Sequence, residues 1–137
     1  MTEDLDRLLG SGAHSGLHQC GSGSSAQDVA DAAVRHHLRC FVLNLQGLTH
    51  KTPFLQAAAR ALQFPAHFGE NWDAFEDCLT DLDWVPAAGY VILVEHAGAF
   101  IDGSPAEWTT ATAIFRDAAS YWREKDVPFF VLLLDRT

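Results

Sequence analysis

Carboxylates crowd the stretch from His67 to Trp84, HFGENWDAFEDCLTDLDW. Glu70, Asp73, Glu76, Asp77 and Asp81 recur at three- and four-residue steps, the spacing that gathers side chains on one side of a helix. Asp73 and Asp77 then stack one turn apart, with about 6 Å of rise between them. Like charges at that spacing cost a few tenths of a kcal/mol in an isolated helix. A helix needs one solvated face, but not one of a single sign. An ordinary solvated face is the plainer reading; a face made for something positive is the sharper one. Acid–base catalysis by the carboxylate pair would need a cleft that drives two pKa values apart, which an exposed helix does not supply.

No other cluster makes a stronger case. Seven histidines invite a metal site, yet His14 and His18, with Cys20 nearby, sit in a Gly-rich segment with no helix to align an i, i+4 pair. His36 and His37, the other histidines considered with His50 and His96, are adjacent and point to different faces of a helix. Gly21-Ser22-Gly23-Ser24-Ser25 looks superficially like a phosphate loop, but it has no Lys and reads as a flexible turn. No G-x-S-x-G, P-loop or G-x-G-x-x-G occurs. Cys20, Cys40 and Cys78 are odd in number and lack C-x-x-C spacing, which argues for buried thiols in a reducing compartment. No metal, no cofactor and no catalytic activity are expected.

The elements that must position the carboxylates are legible from periodicity. Trp72, Phe75, Leu79 and Leu82 form the apolar stripe of the acidic helix itself. Before it, Thr52 is expected to cap a helix with Pro53 at its first position and Phe54, Leu55, Ala58, Ala59 and Leu62 facing inward, ended by Pro65. Residues 3–9 make one or two helical turns with Leu5, Leu8 and Leu9 on one side. Ser11 to Gly16 and Gly21 to Ser24 read as loops, with a short strand from Leu17 to Cys20 between them. Ser25-Ala26-Gln27-Asp28 reads as a capping box opening a helix to about Leu38, with Val29, Ala33, Val34 and His37 inward. Strands are expected at Arg39–Leu45, Tyr90–Glu95 and Pro128–Leu134; Cys40 to Leu43 does not alternate, which suits burial on both faces. Ser104-Pro105-Ala106-Glu107 has the form of a second capping box, and Trp108, Ala111, Phe115, Ala118 and Trp122 follow as a core stripe. Alternating strands and helices imply parallel strands joined by right-handed crossovers. The expectation is one small α/β domain over 1–137, a parallel three- or four-stranded sheet with helices packed on it.

The chain has 137 residues, and 9 Lys and Arg against 18 Asp and Glu give a formal charge of −9. Such a surface repels nucleic-acid phosphates and anionic lipid and attracts basic partners. The N-terminus, MTEDLDRLLG, is acidic and lacks the apolar core of a secretory signal, and no apolar run is long enough to span a membrane. A cytoplasmic location is expected.

The run F-G-E-N-W-D-A-F-E-D-C-L resembles the second helix of the barstar family, intracellular inhibitors of the ribonuclease barnase. Gly69, Glu70, Asn71, Asp73, Ala74, Asp77, Cys78, Leu79 and Thr80 match that family in order. The likeness extends from about Cys40 to Leu134, and W-V-P-A-A-G-Y is similar to the longer bacterial forms. It implies a barstar-like core over 40–135, a three-stranded parallel sheet, and an extension over 1–39 that adds a strand and a helix. It also implies a function: the acidic helix and the loop before it occlude the cleft of a basic, extracellular-type ribonuclease, their carboxylates standing where RNA phosphate would. Asp77 matches the family's main phosphate mimic and Asp73 its second contact carboxylate. Asp117, in Phe115-Arg116-Asp117-Ala118, matches a Glu, one methylene longer. His67 stands where the family has a contact Tyr, and Glu76 where it has a contact Trp. Gly69 and Asn71 are retained, Trp84 matches a Trp after the helix, and Asp81 extends the acidic face. The partner-binding set is therefore His67, Gly69, Asn71, Asp73, Glu76, Asp77, Asp81, Trp84 and Asp117, on a chain that is monomeric when free and does not bind nucleic acid directly. The alternative is an acidic binding or immunity module for another basic protein or toxin that is not a ribonuclease.

Overall fold

The apolar runs assemble into one sheet in a computed structural model, which describes residues 2–20, 24–66 and 68–134. Its strands are β1 (Gly16–Gln19), β2 (Arg39–Asn44), β3 (Tyr90–Glu95) and β4 (Phe129–Leu133). They lie in the order β1-β4-β3-β2, and every neighbouring pair is parallel. Parallel neighbours need crossovers. Helices supply them: α2 (Ala26–Arg35), α3 (Lys51–Leu62), α4 (Trp72–Leu79), α5 (Gly98–Gly103) and α6 (Pro105–Glu124), with α1 (Thr2–Leu9) ahead of the first strand. The fold is thus α/β with four parallel strands. Among the described residues no helix is long and apolar enough to cross a membrane.

Side chains alternate across the sheet and feed two cores. Tyr90, Ile92 and Val94 of β3, with Phe129 and Val131 of β4, join Phe54 of α3, Phe75 of α4 and Phe115 of α6. Val91, Leu93, Phe130 and Leu132 face the other way and join Leu5 and Leu9 of α1 and Val29, Ala32 and Ala33 of α2. The unbroken apolar runs of β3 and β4 are explained by this double burial. The residues ahead of β2 contribute one strand and two helices, both helices expected from periodicity, where the family resemblance implied one. A 3₁₀ turn, Gly12–His14, occupies part of the expected Ser11–Gly16 loop, and residues 21–23 lie outside the described ones.

Several local expectations are corrected. Ser25 forms its capping box, its Oγ accepting from the Asp28 N–H at 3.1 Å while Asp28 accepts from the Ser25 N–H at 3.0 Å. The helix stops at Arg35, however, and His37 turns into the left-handed region with φ 60°. Val34 is therefore 74% exposed and His37 is also exposed, while Ala32 takes the inward place. β2 is an edge strand: Phe41 and Leu43 are buried in the first core, but Val42, on the opposite face, is 47% exposed because the second core does not reach it. α3 begins at Lys51 with His50 as its cap, so Pro53 sits at its third position, where a missing N–H still costs nothing. It ends at Leu62 through a left-handed Gln63, before Pro65 is reached. The helix α5, whose Phe100 is fully buried, was not foreseen.

Candidate functional site

The acidic stretch is shorter as a helix than its periodicity suggests. α4 covers eight residues, Trp72–Leu79. Asn71 sets its start: the side-chain oxygen accepts from the Ala74 N–H at 2.8 Å, and the amide nitrogen donates to the Gly69 carbonyl at 3.3 Å. Such a cap outweighs continuation of the helix toward His67. Glu70, just ahead, is left-handed (φ 51°) and is held by Gln56 of α3, whose amide donates to its carboxylate at 2.8 Å. At the other end Thr80 Oγ donates to the Glu76 carbonyl at 3.0 Å, and Leu82 is left-handed (φ 54°) yet 1% exposed. Leu82 keeps the apolar stripe only because the chain folds back there.

The inner face of α4 is fixed by aromatic packing and indole hydrogen bonds. Phe75 lies 5.8 Å from Phe54 and 5.7 Å from Phe115, ring centre to ring centre. Trp72 Nε1 donates to a Glu107 carboxylate oxygen at 2.8 Å, Trp122 Nε1 to the Leu79 carbonyl at 2.8 Å, and Trp84 Nε1 to the Leu62 carbonyl at 3.1 Å. Buried indoles seek acceptors, so the need for partners is legible in the sequence, but which acceptors they find is not. Glu107 is one the sequence reading misassigned. Ser104 Oγ donates instead to the Thr49 carbonyl at 2.6 Å, and no capping box forms there.

The outer face carries the charge. Asp73 and Asp77 are exposed on α4, Asp81 is exposed in the turn after it, and Glu76 is half-buried. Asp117 is exposed on α6, the helix that packs along α4. Among the described residues no Lys, Arg or His pairs with Asp73, Asp77, Asp81 or Asp117. A cleft of about 190 Å³ brings together Gly69, Asp77, Asp81 and Trp84, with Phe68 and Cys78 in its wall. Asn71, Asp73, Glu76 and Asp117 lie outside that cleft, and His67 falls outside the described residues. Burial, and then the charges of Asp81 and Asp77, push the Cys78 thiol up. Burial alone pushes Cys40 up to about 11. Neither thiol is a nucleophile at neutral pH.

The remaining candidates are used by the fold. His18 Nε2 meets the His14 carbonyl at 2.6 Å, and His36 Nε2 meets Asp6 at 2.9 Å. Among the described residues no three His, Cys, Asp or Glu side chains are grouped to hold a metal ion. A larger cleft of about 490 Å³, between Ala13, Arg123 and Pro128, shares no lining residue with the Gly69–Trp84 cleft, and its Arg123 guanidinium donates to the Ser15 carbonyl at 3.2 Å.

Comparison with known proteins bears on this geometry. A family model described as Barstar (barnase inhibitor) matches residues 38–134, which hold α4, the cleft and Asp117. No curated protein matches the chain. Among solved structures, the Aeropyrum pernix ORC2 protein in ADPNP-ADP complexes is similar at 13% identity and a TM-score of 0.58, over 97% of this chain and 39% of that one. The chain thus spans about two fifths of that protein's length. The Drosophila ORC bound to DNA is similar at 15% identity and a TM-score of 0.50, over 99% of this chain and 78% of that one. At such identities the likeness is one of fold alone.

Proposed function

The chain belongs to the Barstar (barnase inhibitor) family, and on that premise we propose that it is a cytoplasmic inhibitor of a basic, barnase-type ribonuclease, covering the enzyme's active site with α4 and the loop before it. The observation that carries this reading is the set of exposed carboxylates Asp73, Asp77 and Asp81 beside the Gly69–Trp84 cleft, which pair with no cation among the described residues. On this reading their counter-charge comes from the partner. A guanidinium facing a carboxylate makes short, charge-assisted and often bidentate hydrogen bonds. Opposite net charges also steer encounter, so association quickens as salt is lowered.

In this reading Asp77, at the rim of the cleft, stands in for RNA phosphate. Asp73 and Asp117 flank it from two helices, and Asp81 and Trp84 close the far rim. Gly69 and Asn71 shape the entry loop, and His67 and Glu76 stand at positions that tune partner choice. The inhibitor does no chemistry of its own; it is monomeric when free and excludes RNA by occupying the cleft. The test is a titration into a panel of barnase-type ribonucleases, following RNA cleavage, with Asp77→Ala beside the wild type. Stoichiometric inhibition that Asp77→Ala loses supports the assignment. Equal inhibition by the two proteins would sink it. Inhibition of none, together with co-purification of a basic protein that leaves RNA intact, would favour an immunity module for a different toxin.

A further inference from the structure

We infer that Glu107 is a positioning residue for the acidic helix, holding Trp72 so that the α4 carboxylates Asp73 and Asp77 keep a fixed direction. This rests on the inhibitor reading for its functional consequence, but not for its geometry. Ser104-Pro105-Ala106-Glu107 has a capping-box sequence, yet the Ser104 N–H bonds to the Phe100 carbonyl at 2.8 Å and Ser104 Oγ to Thr49. The Glu107 carboxylate reaches across to α4 and accepts from Trp72 Nε1 at 2.8 Å. Both residues are half-buried, where a hydrogen bond is shielded from competing water.

α4 has eight residues, too few to hold a direction without tertiary ties. α6 ties it twice: Glu107 takes the first residue, Trp72, and Trp122 donates to the carbonyl of the last, Leu79. Asp73 and Asp77 lie between the two ties. The bond from Trp72 to Glu107 therefore sets the direction of the start of the acidic helix.

The test uses Glu107→Ala, Glu107→Gln and Trp72→Phe in the full chain. Amide hydrogen exchange is measured on the free proteins, and association and dissociation rates on the barnase-type ribonuclease that the wild type inhibits. Glu107→Ala should raise exchange over residues 72–76 by about 10-fold while β3 and β4 keep their protection. It should also speed dissociation by about 10-fold and leave association within about twofold. Glu107→Gln keeps an acceptor oxygen and should restore both readouts. Trp72→Phe should copy the Ala variant, and combining the two should add little further. A Gln variant that behaves like Ala would assign the effect to charge and overturn the proposal. So would exchange that rises evenly through β3 and β4. If the wild type inhibits no barnase-type ribonuclease, the inhibitor reading fails, and the exchange pattern still decides whether Glu107 positions α4.

Discussion

Asp6 on α1 and Asp77 on α4 are both exposed or half-exposed aspartates on short helices, and the molecule treats them in opposite ways. Asp6 is satisfied from within: Arg35 Nε lies 3.0 Å and His36 Nε2 2.9 Å from its carboxylate, both from the end of α2. These hydrogen bonds, to Arg35 and then to His36, hold its pKa below the usual aspartate range. Asp77, with Asp73 and Asp81, has no cation paired with it among the described residues. One carboxylate fastens α1 to the end of α2 beside it. On the inhibitor reading, the others leave their pairing to a partner. Charge on an acidic chain is thus divided between fold and function, and the divide follows which carboxylates the chain has already paired.

The largest expected effect separates the two regions. Asp77→Ala should cost several kcal/mol of binding, a magnitude carried over from charge pairs of the barnase–barstar complex in the same family, not obtained from this chain. It should leave the thermal midpoint of the free protein near that of the wild type. A calorimetric titration beside a melting curve reads both, and a lowered midpoint would blur the divide. Phe75→Ala, two residues away on the inner face, should do the reverse. Its ring is fully buried among Phe54, Phe64 and Phe115, and its loss should cost about 3–5 kcal/mol of stability in denaturant unfolding.

Next comes salt. Moderate ionic strength shortens the Debye length to about 8–10 Å and should slow association with a basic ribonuclease much more than it speeds dissociation, as stopped-flow rates would show. Equal changes in both rates would mean that the carboxylates act only at contact range. The smallest effect belongs to Asp6. A depressed folded-state pKa contributes stability that is fully present above the ordinary aspartate range and is lost as pH falls through and below it. Asp6→Ala should therefore lower the melting temperature at neutral pH, and the gap to wild type should close in acid. A gap that persists in acid would show that Asp6 acts through something other than its charge.

Much of this arrangement could be read from residues. β3 and β4 announced themselves as unbroken apolar runs, and Ser25 with Asp28 named a cap that forms. The face of α4 followed from the spacing of Asp73 and Asp77 against Phe75 and Leu79. What escaped depends on neighbours that no local pattern encodes. Cys40 to Leu43 has the composition of a central strand, but β2 lies at the sheet's edge, where the second core reaches Cys40 and not Val42, so Val42 faces solvent. The acidic periodicity ran on past Leu79 because Leu82 returns to the core through a left-handed turn and not as helix. Glu107 looked like half of a capping box until Trp72, thirty-five residues earlier, offered it a better donor.

The central claim is occlusion: the face of α4 and the ribonuclease's RNA compete for one cleft. The most direct measurement is the inhibition of RNA cleavage at rising substrate concentration. The account predicts an apparent inhibition constant that climbs in proportion to RNA, with the maximal rate recovered at saturation. Inhibition unchanged by RNA, or a lowered maximal rate with RNA still bound, would contradict it.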